Sequence, residues 1–219
     1  MGSIDWWKDA VGILQSILLC VTAVVALLSV NEWRRQTVGK RKIELAEQVL
    51  ASFYEVRDLF VWVRSPAAFG GEGETRQAEG EDENVRRQRN TYFVPIERMQ
   101  KHSELFAKLQ SQRYTFMALF GAAAIAPFDE LRQAQVRISV SAQTLIRMVG
   151  NNYAQQQNAQ LIERCESDIW DGTYEARNVE DPIKASLLHM IATVEALCRP
   201  ALLESAGWNW RLQFWKKQA

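Results

Sequence analysis

The sequence VGILQSILLCVTAVVALLSV, residues 11–30, decides how the rest of the chain is interpreted, because it runs for twenty residues without a charge. At about 1.5 Å per residue, a helix of this length matches the ~30 Å hydrocarbon core of a bilayer. Twelve of its residues are Val, Ile or Leu. Together they favour insertion of the helix into a membrane by about 5 kcal/mol. Residues 11–30 are therefore predicted to form one transmembrane helix, and residues 1–10 a short extracytoplasmic N-terminus.

Two other interpretations of residues 11–30 are disfavoured. A soluble helix of this length normally keeps one polar face, and this stretch has none. A cleaved signal peptide begins with basic residues, whereas here the basic residues follow the apolar run. They are Arg34, Arg35, Lys40, Arg41 and Lys42. This asymmetry predicts that the N-terminus lies outside and the rest of the chain in the cytoplasm. It also predicts a basic juxtamembrane stem, residues 31–42, that binds anionic lipid headgroups.

Tryptophan residues flank the apolar stretch and recur near the end of the chain. Trp6 and Trp7 precede it and Trp33 follows it, as expected for residues at a membrane interface. The tail, residues 201–219, contains Trp208, Trp210 and Trp215 together with three basic residues. Aromatic and basic residues in one segment are typical of an interfacial helix. The alternative is that these tryptophans cover the open end of a helical bundle.

One side of the predicted transmembrane helix is lined with small residues. Gly12, Ser16 and Cys20 are four residues apart, and Ala23 follows on the same side. Small residues at this spacing allow two membrane helices to approach closely, and Gln15 can add an interhelical hydrogen bond. The pattern predicts self-association in the membrane, although small residues are common in membrane helices.

The helix is predicted to continue beyond Trp33, with Gly39 as a possible joint at the membrane surface. Its next segment carries apolar residues at alternating spacings of three and four. They are Ala46, Val49, Phe53, Val56, Phe60 and Val63. This heptad seam is typical of a coiled coil or of a helix in an ordinary bundle. It lasts less than three heptads, so packing into a bundle is favoured.

The remainder of the chain shows helical periodicity and no convincing strand. A helix beginning near residues 94–96 ends at Gly121, another runs from Pro127 to Gly150, and a shorter one covers 154–170. Asp181-Pro182 is an N-cap followed by proline, which starts a helix that ends at Pro200. The predicted fold is all-α, with the transmembrane helix continuing into a cytoplasmic up-and-down bundle of about five helices at residues 43–200.

An acidic, glycine-rich segment interrupts the bundle at residues 65–90. Between Gly70 and Glu83 it has six carboxylates, one arginine and four glycines. It lacks the lysine of a phosphate-binding loop and the ligand spacing of a calcium-binding loop. The composition predicts a solvated, mobile loop.

The residues that carry chemistry are few. The chain has two histidines and three cysteines, none with the spacing of a metal site, and no known catalytic motif. No cofactor, metal ion or catalytic residue is predicted. The formal net charge of zero gives no attraction to nucleic acid, so none is expected as a partner.

The segment TVGKRKIELAEQVLASFYEVRDLFVWVRSP, the Gly/Glu loop after it, and ELFAKLQSQRYTFMALFG together resemble a group of uncharacterised bacterial proteins with an N-terminal membrane anchor. The resemblance covers most of the chain after the anchor. It implies an origin in the bacterial inner membrane, and it implies no activity and no site residue.

Three classes of function are consistent with these patterns. A membrane-anchored helical scaffold or regulatory interaction module, self-associating and able to bind other membrane proteins, accounts best for the small-residue face and the lack of a catalytic motif. An oligomeric pore or membrane-perturbing effector is the main alternative. An enzyme with an unrecognised site is the third.

Overall fold

The computed structural model describes the backbone of residues 5–77 and 79–216. Side chains are described in these ranges except at residues 5–10, 13, 27, 31, 32, 34, 35, 152–154 and 204–216. All regular structure in these ranges is helical, which confirms the all-α prediction. The predicted count of about five helices is wrong, because the described part of the chain forms seven α-helices and two short 3₁₀ helices.

The helices follow one another with short connections, apart from the loop after α1. The α-helices are α1 Asp5–Val63, α2 Glu83–Lys101, α3 Ser103–Phe120, α4 Ala126–Met148, α5 Asn152–Gln157, α6 Ala159–Ile169 and α7 Pro182–Lys216. The 3₁₀ helices are Ala122–Ile125 and Glu175–Arg177. Helix α1 passes through Gly39 without a break in its assignment.

The chain divides into two compact units, residues 1–44 and residues 45–219. The first unit is the N-terminal part of α1. The second unit is a helical bundle in which α4 packs against α2, α6 and α7.

The C-terminal part of α1 lies in the core of the bundle. The six positions of the heptad seam are all buried. They are Ala46, Val49, Phe53, Val56, Phe60 and Val63. Phe53 meets Phe128 of α4 edge-on at 5.2 Å between ring centroids, and Phe60 meets Phe106 of α3 at 6.2 Å. The seam therefore packs against helices of the same chain.

Helix α7 runs antiparallel to the buried part of α1. Arg64 at the end of α1 pairs with Asp181 at the start of α7, at 2.7 Å. Further along α7, Glu195 accepts a hydrogen bond of 2.5 Å from Tyr54. Asp181 also caps α7, since its Oδ1 accepts from the backbone N–H groups of Ile183 and Lys184. The predicted start at Asp181-Pro182 is confirmed.

Two prolines lie inside helices rather than at the predicted helix ends: Pro95 near the predicted start at residues 94–96, and Pro200 at the predicted end of the last helix. Helix α2 begins at Glu83, so Pro95 is well inside it, and α7 continues past Pro200 to Lys216. An interior proline removes one helical hydrogen bond at a cost of about 3 kcal/mol. Buried neighbours on both sides offset this cost, as Val94 and Ile96 do around Pro95. The helix also divides at His102, where the single predicted helix becomes α2 and α3.

Within the described residues, one helical stretch is long and apolar enough to cross a membrane by length and composition, and it is Pro182–Leu203. The N-terminal apolar stretch at Leu14–Val30 is shorter by the same measure. Ile183, Met190 and Val194 of Pro182–Leu203 are buried in the bundle. A core helix of a soluble domain has this same composition, so length and composition alone do not separate the two stretches.

Candidate membrane and interaction sites

The described apolar side chains of residues 11–30, which exclude those of Ile13 and Leu27, are exposed around the helix. Leu14, Leu18 and Leu28 are 67%, 66% and 64% exposed. Seven further aliphatic residues of this stretch are also exposed: Val11, Ile17, Leu19, Val21, Val24, Val25 and Val30. A continuous apolar surface of this extent is rare on a soluble monomer and marks a membrane or protein contact.

The hydroxyl groups within this stretch are satisfied by their own helix. Ser16 donates to the carbonyl of Gly12 at 2.9 Å, Thr22 to that of Leu18 at 2.7 Å, and Ser29 to that of Val25 at 2.7 Å. In hydrocarbon each of these groups needs such a partner, because water is absent. Gln15 differs, since no described residue pairs with its side-chain amide.

The predicted self-association face is open in the isolated chain. Gly12, Ser16, Cys20 and Ala23 are all exposed. A Cβ atom placed on Gly12 would meet nothing within 4 Å. No described residue of the chain covers this face, so it is free to contact another helix.

The predicted lipid-binding residues are described only in part. Lys40 and Arg41 are exposed and Lys42 is half-buried, whereas the side chains of Arg34 and Arg35 lie outside the described residues. Among the predicted interfacial aromatic residues, Trp33 is 66% exposed. The side chains of Trp6, Trp7, Trp208, Trp210 and Trp215 also lie outside the described residues.

Arg98 of α2 organises the loop that follows α1. Its side chain is fully buried and pairs with Glu72 through two hydrogen bonds, of 3.1 and 2.7 Å. The same guanidinium donates to the carbonyls of Trp62, Ser65 and Ala67, and it lies 4.9 Å from the Trp62 ring. The hydrogen bonds from Arg98 hold the pKa of Glu72 below its ordinary value. One side chain thus fixes the start of the loop.

Further ion pairs hold the rest of the acidic loop against α2. Glu81 pairs with Arg76 and with Arg89, the second at 2.6 Å, and Glu97 accepts a hydrogen bond from the backbone N–H of Gly73. The hydrogen bond from Arg76, followed by that from Arg89, lowers the pKa of Glu81 to about 2. The pairing is therefore present above the ordinary carboxyl pKa and is lost as the pH falls toward 2. The loop predicted to be solvated is therefore held at Glu72 and Glu81, whereas Glu74 and Glu79 are exposed as predicted.

A second buried polar cluster joins the end of α1 to α4, α6 and α7. Arg64 donates to the carbonyls of Asp168 and Ser167, at 3.0 and 2.9 Å, besides pairing with Asp181. The Asp168 carboxylate accepts from Arg137, Ser141 and Tyr174. Burial, then the hydrogen bond to Asp168, raises the pKa of Tyr174. Every charge in this cluster has a partner within the bundle, which is the arrangement of a structural network.

The acidic residues Asp171, Glu175 and Asp181 come within 4.8 Å of one another. Asp181 is already paired with Arg64, and Glu175 pairs with Lys184 at 2.9 Å. Two of the three carboxylates are therefore engaged in the bundle's own ion pairs, and the arrangement carries no further observation that points to a metal ion.

The concave surfaces of the described bundle include two that involve α2. A polar cavity of about 520 Å³ lies between the loop and α2, where Arg76, Arg86 and Arg87 face Glu74 and Glu83. Opposite charges lining one small cavity give it no clear preference for an anion or a cation. Two adjoining depressions of about 350 and 370 Å³ lie between α2 and α4 and share Ile96, Gln100 and Gln143. This second surface, the α2–α4 groove, has an apolar floor and amide-bearing rims.

No family model matches the chain, and the comparisons with curated proteins and with solved structures likewise find no match. The fold and its surfaces define the class of protein instead. It is an all-α protein whose longest helix exposes an apolar segment at one end and forms part of a bundle core at the other.

The three cysteines provide a first test of where residues 11–30 lie. Cys165 and Cys198 are buried, and burial raises the pKa of the Cys198 thiol to about 11. Cys20 is exposed in the isolated chain. We expect a water-soluble maleimide at pH 8 to label none of them in native membranes, and all three after denaturation, as read by mass spectrometry.

The control for this labelling is Val136→Cys, at a bundle position that is 54% exposed. The maleimide should label the thiol at position 136 within minutes in the same membranes, because this thiol is exposed to water. Labelling of Cys20 as fast as that of Val136→Cys would place residues 11–30 in water.

Proposed function

We propose that this protein is a membrane-anchored helical scaffold or regulatory interaction module, held in a bacterial inner membrane by residues 11–30 and self-associating there. In this proposal the N-terminus is outside and the bundle is cytoplasmic. The observation that carries the proposal is the apolar surface of residues 11–30, which no described part of the chain covers. The bundle then serves as the part that meets other proteins, with the α2–α4 groove as its candidate contact surface.

Burial is the reason for choosing residues 11–30 over Pro182–Leu203 as the anchor. In Pro182–Leu203 the apolar stripe is packed in the bundle, and Lys184 and Glu195 are engaged with other bundle residues. Moving this helix into lipid would disrupt the core and would leave the charges of Lys184 and Glu195 without their partners. Residues 11–30 can enter lipid without any loss of packing, because their described side chains pack against no other element.

Self-association is supported by the open small-residue face and by Gln15. An amide without a partner in hydrocarbon is costly, and a second copy of the helix supplies the missing hydrogen bond. The pore alternative needs polar side chains that line a path. The hydroxyls of Ser16, Thr22 and Ser29 are already bonded to their own helix, so no specific observation favours that alternative.

Native Cys20 tests this proposal directly, because it lies on the predicted contact face. We expect a membrane-permeant oxidant to convert the full-length protein in its membrane into a disulfide-linked dimer through Cys20. The reason is that residues on the contact face of two helices come within disulfide distance, with Cα atoms about 5–7 Å apart. The readout is a dimer band on non-reducing gels, which disappears with Cys20→Ser.

The matched control moves the cysteine to the opposite side of the same helix, as Cys20→Ser with Leu18→Cys. Positions 18 and 20 differ by two residues, which is about 200° around a helix. A thiol at position 18 therefore points away from the proposed contact. Equal crosslinking at the two positions, or none at Cys20, would rule out association through the face defined by Gly12, Ser16 and Cys20.

A further inference from the structure

The α2–α4 groove is lined by apolar and uncharged polar side chains, and within the described residues its only charged lining residues are arginines. The apolar lining residues come from three helices: Phe93, Ile96 and Met99 of α2, Phe106 of α3 and Ile146 of α4. Gln100, Gln135 and Gln143 lie along the sides, and no described hydrogen bond uses their side-chain amides. These amides are therefore available to a partner that covers the apolar floor, as in the polar rim of a protein interface.

The groove has the length of a short helix. Its lining residues on α4 run from Gln135 to Arg147, which is about 18 Å at about 1.5 Å per residue. A partner helix of about twelve residues, or roughly three turns, covers this distance. A furrow between two helices accepts the side-chain rows of a third helix, which it contacts through apolar residues at spacings of three and four. The shape therefore suits a short amphipathic helix.

The charges along α4 select the kind of helix. Residues 131–148 contain no aspartate or glutamate and three arginines. Arg137 pairs with Asp168 of α6 at 2.8 Å, so its charge is balanced within the bundle. Arg132 and Arg147 are exposed, and no described carboxylate forms an ion pair with either. This side of α4 therefore carries two positive charges that the described bundle does not balance.

Arg132 and Arg147 lie near opposite ends of the groove. Arg147 is itself a lining residue, and Arg132 precedes the lining residue Gln135 by almost one helical turn. The remaining arginine of the lining, Arg76 of the loop, is already paired with Glu81. Each end of the groove thus has one exposed guanidinium that is free to meet an acidic group of a partner.

We infer that the α2–α4 groove binds an amphipathic helix of another protein, whose apolar face covers Ile96 and Phe106 and whose terminal turns carry acidic residues that meet Arg132 and Arg147. This inference rests on the proposed interaction module and names the chemistry of its partner. Complementary charges at the edges of an interface determine the choice and orientation of a partner more than the strength of binding. A basic helix with the same apolar face is disfavoured, because like charges would meet at both ends.

The test uses two fluorescein-labelled peptides of about fourteen residues, with leucines at helical spacings of three and four. One peptide has glutamates in its terminal turns, and the other has lysines there. The full chain is placed in phosphatidylcholine nanodiscs, and empty nanodiscs correct for peptide that binds lipid. Fluorescence anisotropy at about 50 mM salt should show at least about tenfold tighter binding of the glutamate peptide, and this ratio should shrink at about 1 M salt. A glutamate peptide with serine in place of leucine should not bind.

Arg132→Gln with Arg147→Gln should weaken binding of the glutamate peptide by about tenfold, because the contacts at both ends are lost. The matched control is Arg86→Gln with Arg164→Gln, which removes the same charge at two exposed arginines outside the groove and should leave binding unchanged. Equal losses in the two double variants, or equal binding of the two peptides, would show only a general attraction between charges and would overturn the inference.

A second copy of this chain is the other candidate occupant of the groove. If Arg132→Gln with Arg147→Gln also abolished the dimer crosslinked through Cys20, a second copy would occupy the groove and the inference would be wrong. Incorporation of the chain into nanodiscs tests the anchor separately. A chain that enters nanodiscs and binds neither peptide refutes only the groove inference, whereas a chain that stays outside them refutes the anchor and leaves peptide binding measurable.

Discussion

Replacing Arg98 by methionine is expected to destabilise the bundle by about 3–5 kcal/mol, the cost of removing one partner from a buried ion pair. The substitution leaves Glu72 without its cation and also removes the donor for the carbonyls of Trp62, Ser65 and Ala67. Since small domains are stable by about 5–15 kcal/mol, this is a large part of the total. Urea unfolding of the full chain in detergent, followed by tryptophan fluorescence, measures it.

The matched control is Arg87→Met, on the same helix and with the same change of side chain. The Arg87–Glu83 pair is 74% and 73% exposed, so its loss should cost less than about 0.5 kcal/mol. Arg98→Lys keeps the charge but loses the planar fork, and its cost should fall between the two. Equal midpoints for Arg98→Met and Arg87→Met would mean that Arg98 does not hold the loop and α2 together.

The role of Arg98 also shows what sequence patterns miss. Arg98 and Glu72 are 26 residues apart and Arg64 and Asp181 are 117 apart, so no local spacing connects either pair. An arginine among apolar residues of a helix is compatible with exposure or burial. For the same reason, the composition of the acidic loop by itself predicts a solvated, mobile segment. Glu72 and Glu81 meet Arg98 and Arg89 only when α2 is folded beside the loop.

Local patterns predict the apolar seam and the start of α7 better, because each depends on neighbours in sequence. The three-four spacing of Val49, Phe53 and Val56 defines one face of a helix whatever packs against it. Asp181 caps α7 with backbone groups two and three residues away. Local patterns fail at Pro95 and Pro200, which they predict to mark helix ends. Tertiary packing there outweighs the local penalty of an interior proline. The small residues and Gln15 of residues 11–30 remain predictions about contacts between chains.

A pair of charges in the middle of residues 11–30 is expected to release the full-length protein from the membrane. Val21→Arg with Val25→Arg places two arginines near the centre of the proposed span, at about 2.5–3.5 kcal/mol each. Their sum, about 6 kcal/mol, exceeds the roughly 5 kcal/mol contributed by the twelve aliphatic residues. The protein should move from the carbonate-resistant membrane fraction to the soluble fraction. Quantitative immunoblotting of both fractions measures the shift.

The control for this prediction is Val136→Arg with Val140→Arg on α4. The two pairs match in residue type, in four-residue spacing and in exposure, which is 53% and 55% at 21 and 25 and 54% and 52% at 136 and 140. They differ in the solvent that the proposal assigns to them. In water all four substitutions are mild, because an exposed valine on a helix is readily replaced by arginine. If both double variants stay in the membrane, residues 11–30 are not the anchor, and Leu188→Arg in Pro182–Leu203 becomes the decisive variant, since Leu188 is 61% exposed there. If only the variant with Val21→Arg and Val25→Arg leaves the membrane fraction, the exposed apolar surface of α1 is the part of the chain that contacts the bilayer.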